Sequence, residues 1–316
     1  MATAYTSTDS ASLGGTVGSA GLVQKAYDRM IEFALRDEPL IRKVADKRPV
    51  SQTIPGSTVV LQLHPEMTKI SSALSETVDP DGVVLATPTS VTITLEEFGN
   101  VTTKTRALKI FSYVGVDDDI VNLMAVNQAD SIDELAMTKL RAGTNVIYSG
   151  STATSTATIT AAATLSSANV RKAVAKLRAN KAKGRKGSLY WAGVHPEVAH
   201  DLMAETGSLG WVLPHQYSAP DAIWSAEIGS FAGAFFVESP RMYSATDGAS
   251  SAKNYRTIIA GKQALAEAVG EEPHTVLGNV TDSLKRFQPI GWYGVLGFAR
   301  YRENALYRIE SGSSIA

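Results

Sequence analysis

The stretch Ser57-Thr-Val-Val-Leu-Gln-Leu63, together with Ser90-Val-Thr-Ile-Thr-Leu95, decides the fold class of this 316-residue chain. In each run, apolar residues alternate mainly with polar ones, and this two-residue period is typical of a half-buried β-strand. The polar stretch between the runs contains a turn signal, Asp79-Pro-Asp-Gly82. The pattern predicts a two-stranded arm over residues 57–98 with a polar tip that has little to bury. Such a hairpin is marginally stable alone and needs a partner surface.

A β-rich run, Val101 to Val116, follows the hairpin and leads into a long helix. Asp117-Asp118-Asp119 looks like a helix start, because carboxylates are favourable in a first helical turn. Ser131 and Glu134 match a capping box that marks a second start. The sequence predicts one long helix that ends near Tyr148. One apolar stripe at helical spacing supports it: Ile132, Ala136, Leu140, Gly143 and Ile147.

The N-terminal region divides into two parts. Residues 1–21 are mainly Ser, Thr, Gly and Ala, and they predict a flexible arm. A helical pattern begins at Leu22 and is interrupted by Pro39 and Pro49. Residues 1–21 contain almost nothing to bury, whereas the helical pattern has an apolar face that includes Val23, Tyr27 and Met30.

The centre and the tail mix helices with strands. No fixed period recurs, which argues against a repeat protein. The order of elements indicates an α+β fold and not a regular βαβ alternation. The predicted elements are a helix that contains Val170, Val174 and Leu177, a buried strand at Leu189–Val194, a short helix from Pro196 to Met203, strands at Gly233–Glu238 and Tyr255–Ala260, and a β-rich end from Ile290 to Glu310.

The composition excludes several classes of function. The chain has no cysteine, so disulfides, a thiol nucleophile and cysteine-ligated metal centres are all excluded. Its 30 basic and 31 acidic residues give a net charge of −1, which provides no strong global attraction for nucleic acid. There is no signal-peptide pattern, and no apolar run approaches the length of a membrane span. These features predict a soluble protein that is made in the cytosol and has no contact with a membrane.

No arrangement of residues in the sequence indicates catalysis, a cofactor or a metal site. His195 and His200 are five residues apart and flank Pro196, whereas a zinc motif needs histidines at i and i+4 on one helical face. Consecutive carboxylates at Asp117 to Asp119 point in different directions, which favours the helix start over a calcium loop.

A local basic run at the end of a helix is the remaining candidate site. Its members are Lys181, Lys183, Arg185 and Lys186. They are candidates for weak contact with DNA, for contact with a neighbouring subunit, or for a solvated helix end, where cations are favourable.

Three segments give the chain a resemblance to a known family. They are Ile110–Val121 leading into Ser131–Ala136, Gly187–Leu202, and the C-terminal strings Ile228–Pro240, Gln288–Gly294 and Leu306–Glu310. Their order resembles that of major capsid proteins of tailed bacteriophages with the Hong Kong 97-type fold, particularly the family typified by phage N-four. The resemblance covers nearly the whole chain from residue 22.

The resemblance implies an α+β capsid fold with defined parts. These would be an N-terminal arm (1–50), the hairpin or E-loop (51–112), a peripheral domain that includes a long spine helix (113–164 and 281–316), and an axial domain (165–280). It implies a structural protein, not an enzyme, that assembles from hexamers and pentamers into the icosahedral shell of a virion, in the cytoplasm of a bacterial host.

The resemblance also implies partners and leaves an alternative. Portal, scaffolding and decoration proteins are expected partners, together with non-specific contact with packaged double-stranded DNA. The region before the first helix is shorter than the scaffolding segment of some relatives, so a separate scaffolding protein, or none, is expected. An encapsulin-like shell of a bacterial nanocompartment shares the fold and is the alternative.

Overall fold

The computed structural model describes residues 41–49, 58–71, 73–74, 76–77, 79, 82–111, 116–205, 229–280, 282–284 and 286–315. The predicted arm and the helix from Leu22 lie outside these residues. The helices are α1 (Arg106–Phe111), α2 (Val116–Arg141), α3 (Ser167–Ala179) and α4 (Pro196–Ala204). The strands are β1 (Asp46–Pro49), β2 (Thr58–Leu63), β3 (Thr89–Thr94), β4 (Glu96–Thr105), β5 (Val146–Tyr148), β6 (Tyr190–Val194), β7 (Ser230–Phe231), β8 (Ala234–Glu238), β9 (Ser244–Ala245), β10 (Asn254–Ala260), β11 (Leu265–Leu277), β12 (Phe287–Arg300) and β13 (Leu306–Ser311).

The strands form three sheets in the described part of the chain. A four-stranded sheet has the order β1-β11-β12-β4, in which only β1 and β11 are parallel. A seven-stranded sheet has the order β5-β13-β10-β6-β8-β7, with β9 paired to β10. The strands β2 and β3 pair antiparallel from Thr58↔Thr94 to Leu63↔Thr89. The two strands read from their alternation are therefore confirmed, and so is the α+β class.

The strand β10 separates two hydrophobic cores. Ile259 points into a core that α3 and α4 cover through Val174 and Leu202. The adjacent Ile258 points to the opposite face, into a core that contains Met137 of α2. Successive side chains of a strand face opposite ways, so one strand supplies both cores. The seven-stranded sheet is therefore buried on both faces, as the continuous apolar sequence of β6 predicts.

The short helix at Pro196 is confirmed as α4. His195 is its N-cap, and its side chain accepts a hydrogen bond from the backbone N–H of Glu197 at 3.3 Å. Pro196 occupies the first turn, where its missing N–H costs nothing. No helix in the described part of the chain is long and apolar enough to span a membrane.

The long helix α2 differs from its prediction at two points. It ends at Arg141 and not near Tyr148, because Val146–Tyr148 forms β5 and pairs in parallel with β13. Ile147 keeps its predicted burial, at 3% exposure, but as a strand residue. Ser131 is not a second start, since it lies inside α2 and its hydroxyl donates to the carbonyl oxygen of Asn127 at 2.7 Å. A tertiary strand pairing therefore overrides a local helical spacing.

The β-rich run predicted from Val101 to Val116 is shorter in the structure. The strand β4 ends at Thr105, opposite Phe287, the first residue of its partner β12. The backbone N–H of Arg106 then donates to the carbonyl oxygen of Arg286, and α1 begins. Beyond that point β4 has no partner strand among the described residues, and the chain continues as a helix.

A buried ion pair fastens the segment at residues 41–49 to the body of the protein. Arg42 Nε donates to Glu267 Oε1 at 2.8 Å, and the carboxylate of Glu267 is fully buried in β11. The backbone N–H of Arg42 also donates to Asp133 of α2 at 2.7 Å. Ile41 and Val44, which flank Arg42 in the sequence, are buried in the core that contains Met137. The segment is therefore part of the folded body.

Replacing Arg42 by Met should destabilise the subunit by about 3–5 kcal/mol, because it leaves the buried carboxylate of Glu267 without its cation. Chemical unfolding of dissociated subunits measures the loss. The matched control is Lys47→Met, which removes only an exposed ion pair with Glu272 and should cost under about 1 kcal/mol. Equal losses for the two variants would contradict the importance of the buried pair.

Candidate assembly surfaces

The base of the hairpin is held on the four-stranded sheet by Ile93. This side chain is 1% exposed and packs against Ala266 and Ala268 of β11. On β12 the facing residue is Gly297, where an added Cβ would collide with the backbone carbonyl oxygen of Thr94. Small residues on the sheet therefore allow β3 to cross it at very short range.

The connection between the hairpin strands is the first candidate assembly surface. Its described residues, between 64 and 88, belong to no helix or strand. The prediction of a polar tip with little to bury is wrong, because large apolar side chains are exposed along it. They are Met67, Ile70, Leu74, Val83, Val84 and Leu85. Val84 has 89% of its surface exposed. Such a concentration in one segment is typical of an interaction surface. The first three are spaced as on one face of a helix, at i, i+3 and i+7, but the described residues of this segment form neither a helix nor a strand.

The far end of the four-stranded sheet is a second exposed apolar surface. Val101 and Val276 both pair with Gly291, one from each side, so they lie on the same face of the sheet. Val101 is 64% exposed, and Leu277 and Leu284, which follow Val276 in the sequence, are exposed to a similar degree. This end of the sheet therefore also presents side chains that a neighbouring molecule can bury.

The basic run does not form one free cluster. The ammonium group of Lys181 pairs with the carboxylate of Glu66, at the start of the hairpin connection. The guanidinium of Arg185 is largely buried, donates to the carbonyl oxygen of Lys43 and lies 3.5 Å from Asp46. Lys183 and Lys186 are exposed and have no carboxylate partner within the described part of the chain. Two of the four predicted residues thus have partners inside the subunit.

The histidines near α4 belong to a hydrogen-bonded cluster. The His195 ring lies 4.9 Å from the ring of Tyr255, and burial lowers the pKa of His195. The Tyr255 hydroxyl donates to the carboxylate of Glu197, and burial together with this bond raises the pKa of the Tyr255 hydroxyl. His200 lies 3.4 Å from Asp201.

The same cluster fastens the last residues of the chain to α4. The backbone N–H of Ser314 donates to Asp201 at 2.9 Å, and its hydroxyl also donates to this carboxylate. Burial raises the pKa of Asp201, but the hydrogen bonds from Ser314, Ser313 and His200 together outweigh it and leave the pKa lowered. The side chains of Asp117 to Asp119 lie outside the described residues. Among the side chains that the structure describes, no three His, Asp or Glu residues are placed to hold a metal ion.

A buried ionic cluster between β10 and β13 was not found from the sequence. The Glu310 carboxylate is fully buried and lies 3.1 Å from Arg256 Nε and 2.9 Å from Arg308 Nε. The hydroxyl of Thr156 donates to the same carboxylate at 2.6 Å. The available signal was the pattern Arg308-Ile-Glu310 inside a β-rich stretch, but its partner Arg256 is 54 positions away from Glu310 in the sequence.

The fold is similar to that of several solved phage capsids. The chain is similar to the capsid of the cyanophage P-SCSP1u, with a TM-score of 0.73 and 13% identity over 95% of this chain and 96% of the other. It is similar to the capsid of Ralstonia phage GP4, with the same TM-score and identity over 92% and 95%. The head of Helicobacter pylori bacteriophage KHP40 gives a TM-score of 0.71 and 14% identity over 92% and 96%. The Hong Kong 97-type capsid fold expected from the sequence is confirmed.

The family follows from the sequence itself. A model of the phage capsid protein family matches residues 88–309, and the chain belongs to that family. No curated protein matches the chain. Membership of a phage family does not favour the encapsulin-like alternative, and it makes the chain a structural protein of the phage capsid.

Replacing Gly297 by Val should release the hairpin from the sheet, because the new side chain has to displace the backbone at Thr94. We expect a destabilisation of about 1–3 kcal/mol, as for other overpacked sites, and faster proteolytic cleavage of the hairpin. Chemical unfolding and limited proteolysis measure the two effects. The control is Gly82→Val, where no atom lies within 4 Å of an added Cβ. Unchanged cleavage in the Gly297 variant would show that the close crossing does not hold the hairpin.

Proposed function

We propose that this chain is the major capsid protein of a tailed phage and that it assembles, as hexamers and pentamers, into an icosahedral shell around double-stranded DNA. Membership of the phage capsid family and the fold shared with phage capsids support this proposal. The observation that carries it is the connection between the hairpin strands, which is the distal part of the E-loop (residues 64–88), with its exposed apolar side chains. They gain a buried environment when the E-loop lies on a neighbouring subunit.

The proposed role is structural, without catalysis. Assembly would take place in the cytoplasm of the bacterial host, with portal, scaffolding and decoration proteins as further partners. The surface at the far end of the four-stranded sheet supports contacts between copies in addition to those of the E-loop. Permanent interfaces of this kind commonly bury more than about 2,000 Å².

The division into an arm, an E-loop, a peripheral domain and an axial domain remains a proposal. The four-stranded sheet with α2 supports the peripheral unit, and the seven-stranded sheet with α3 and α4 supports the axial unit. The last strand, β13, pairs with β10 and β5 in the seven-stranded sheet. The C-terminal part of the proposed peripheral domain, residues 281–316, therefore contributes β12 to the four-stranded sheet and β13 to the seven-stranded sheet.

Deleting Ser71 to Asp81 should leave the subunit fold intact and prevent closure of the shell. The deleted residues lie beyond the paired strands β2 and β3, so the body keeps its core, whereas the neighbour loses its contact. Electron microscopy of the expressed protein scores closed particles, and circular dichroism of the soluble subunit checks the fold.

A matched variant replaces Ser71 to Asp81 by a Gly-Ser segment of the same length. It should also fail to close, because the side chains and not the length provide the contact. Normal particles from the deletion variant would refute the assignment of residues 57–98 as a two-stranded arm that lies on a neighbouring subunit. Normal particles from the Gly-Ser variant alone would show that only its length matters.

The contact with packaged DNA is proposed to be weak and non-specific. The net charge of −1 supports this, since each phosphate contact needs a cation and adds salt-dependent affinity. The partners of Lys181 and Arg185 inside the subunit leave fewer cations of the basic run for phosphate. A strongly basic lining would also hinder entry and release of DNA.

The test replaces the basic run by Gln at all four positions, Lys181, Lys183, Arg185 and Lys186. Among particles that close, the amount of DNA per particle should equal that of the wild type. A control with Glu66→Gln and Asp46→Asn removes the same intrachain ion pairs but keeps the cations. A lower DNA content in the Gln variant, with a normal content in the control, would instead place the run on a DNA-binding inner surface.

A further inference from the structure

A cleft opens between the base of the E-loop and the body of the subunit, and its lining is strongly cationic. Its volume is about 630 Å³, within the range of small-ligand pockets. The hairpin strands contribute Leu63, Thr89 and Val91 to its lining. The ionic residues that line it are Lys181, Lys183, Lys262, Arg300, Arg302 and Glu303. Five cations therefore share the cleft with one carboxylate.

Three of these cations have no carboxylate partner in the described part of the chain. Two others are matched, since Lys181 pairs with Glu66 and Arg300 Nε lies 2.7 Å from Glu303. The three unmatched cations are Lys183, Lys262 and Arg302, and all are exposed. A partly enclosed cleft with one sign of charge attracts an anionic occupant.

The E-loop carries the opposite charge. Residues 64–88 contain four carboxylates and one lysine, which gives a net charge of −3. Glu76 and Asp79 are exposed and have no cation partner in the described part of the chain. Glu66, at the start of the loop, is already paired with Lys181 at the cleft. The cleft thus accepts an E-loop carboxylate within one subunit, while the carboxylates further along the loop are unmatched.

We infer that the cleft receives the acidic segment of the E-loop of a second copy, residues 76–81. The inference rests on the proposed function, because it needs a shell in which copies meet head to tail. In such a heterologous interface each copy gives its loop to one neighbour and takes a loop from the other. Every unmatched cation of the cleft then has a carboxylate within reach, and the ion pairs fix the register of the contact.

The dimensions of the cleft favour a peptide segment over DNA. A volume of about 630 Å³ admits a short stretch of chain. A DNA duplex, whose major groove alone is about 12 Å wide, is too large. The apolar lining from Leu63 and Val91 also suits a loop that carries apolar residues on both sides of its carboxylates.

Charge reversal tests the pairing in the full chain. The cleft variant carries Lys183→Glu, Lys262→Glu and Arg302→Glu, and the loop variant carries Glu76→Lys, Asp79→Lys and Asp81→Lys. We expect each to lower the yield of closed particles about tenfold or more, because like charges then face each other. A third variant carries both sets and should recover most of the yield, since every pair is restored with its sign exchanged.

A control reverses three exposed lysines outside the cleft, Lys139, Lys172 and Lys186. It changes the net charge as the cleft variant does, and the loop reversals should not improve its yield. A cleft variant that closes normally would overturn the inference. Failure of the combined variant to recover, with a normal circular dichroism spectrum, would assign another occupant to the cleft and also overturn it.

A second measurement remains informative even if no variant forms particles. A synthetic peptide of residues 71–84 is titrated into the soluble full-length subunit at low and high salt. Binding at low salt that is lost at high salt and in the cleft variant supports the inference, because exposed ion pairs are screened by salt. Absence of binding to the wild type overturns it. Failure of the wild type to form shells, by contrast, counts against the proposed function itself.

Discussion

The close contact between β3 and the four-stranded sheet determines how the hairpin is attached to the rest of the subunit. At Gly297 the backbone of β3 approaches β12 so closely that no side chain fits between them. Ile93 fills the remaining space against Ala266 and Ala268. These contacts set the direction in which the hairpin leaves the body, and they keep β2 and β3 together although two strands alone are marginal in water.

A hairpin held at its base changes the energetics of assembly. Fully burying one large apolar side chain of the E-loop stabilises a contact by roughly 1.5–3 kcal/mol. Ordering a free segment opposes this gain by roughly 1–2 kcal/mol per residue. Here the paired strands already fix both ends of the loop, so less conformational freedom is lost when it meets a neighbour. The crossing at Gly297 thus links the fold of one subunit to the strength of a contact between subunits.

The sequence predicts the helices and strands whose signals lie within a few residues. It does not predict the features that depend on contacts with residues far away in the chain. Alternation located β2 and β3, and Pro196 located α4, because these signals lie within a few residues. The end of α2 was misplaced because Ile147 finds a better environment beside Ile309, far away in the chain. The basic run looked like one cluster, but Glu66 and Asp46, more than 100 residues earlier, pair with two of its members.

The exposed apolar residues of the E-loop show a different limit of sequence reading. Met67, Ile70 and Leu74 are spaced at i, i+3 and i+7, as on one face of a helix, but the described residues between 64 and 88 form neither a helix nor a strand. A segment that buries its side chains only against another molecule need not adopt the secondary structure that their spacing suggests. The capsid family, in contrast, could be recognised from the order of several strings, each of which is weak alone.

The ionic residues, which nearly balance in number, take part in two different kinds of pairing. Buried ions are matched inside the subunit, as Glu267 is by Arg42 and Glu310 is by Arg256 and Arg308. The unmatched ions that we pair across copies lie on the E-loop and in the cleft, with opposite signs. At physiological salt, exposed charges act over only about 8 Å. Copies with little net charge can therefore approach without long-range repulsion, and opposite local charges select the register only when the surfaces are already close. Such short-range selection suits many identical contacts that have to form correctly in one closed assembly.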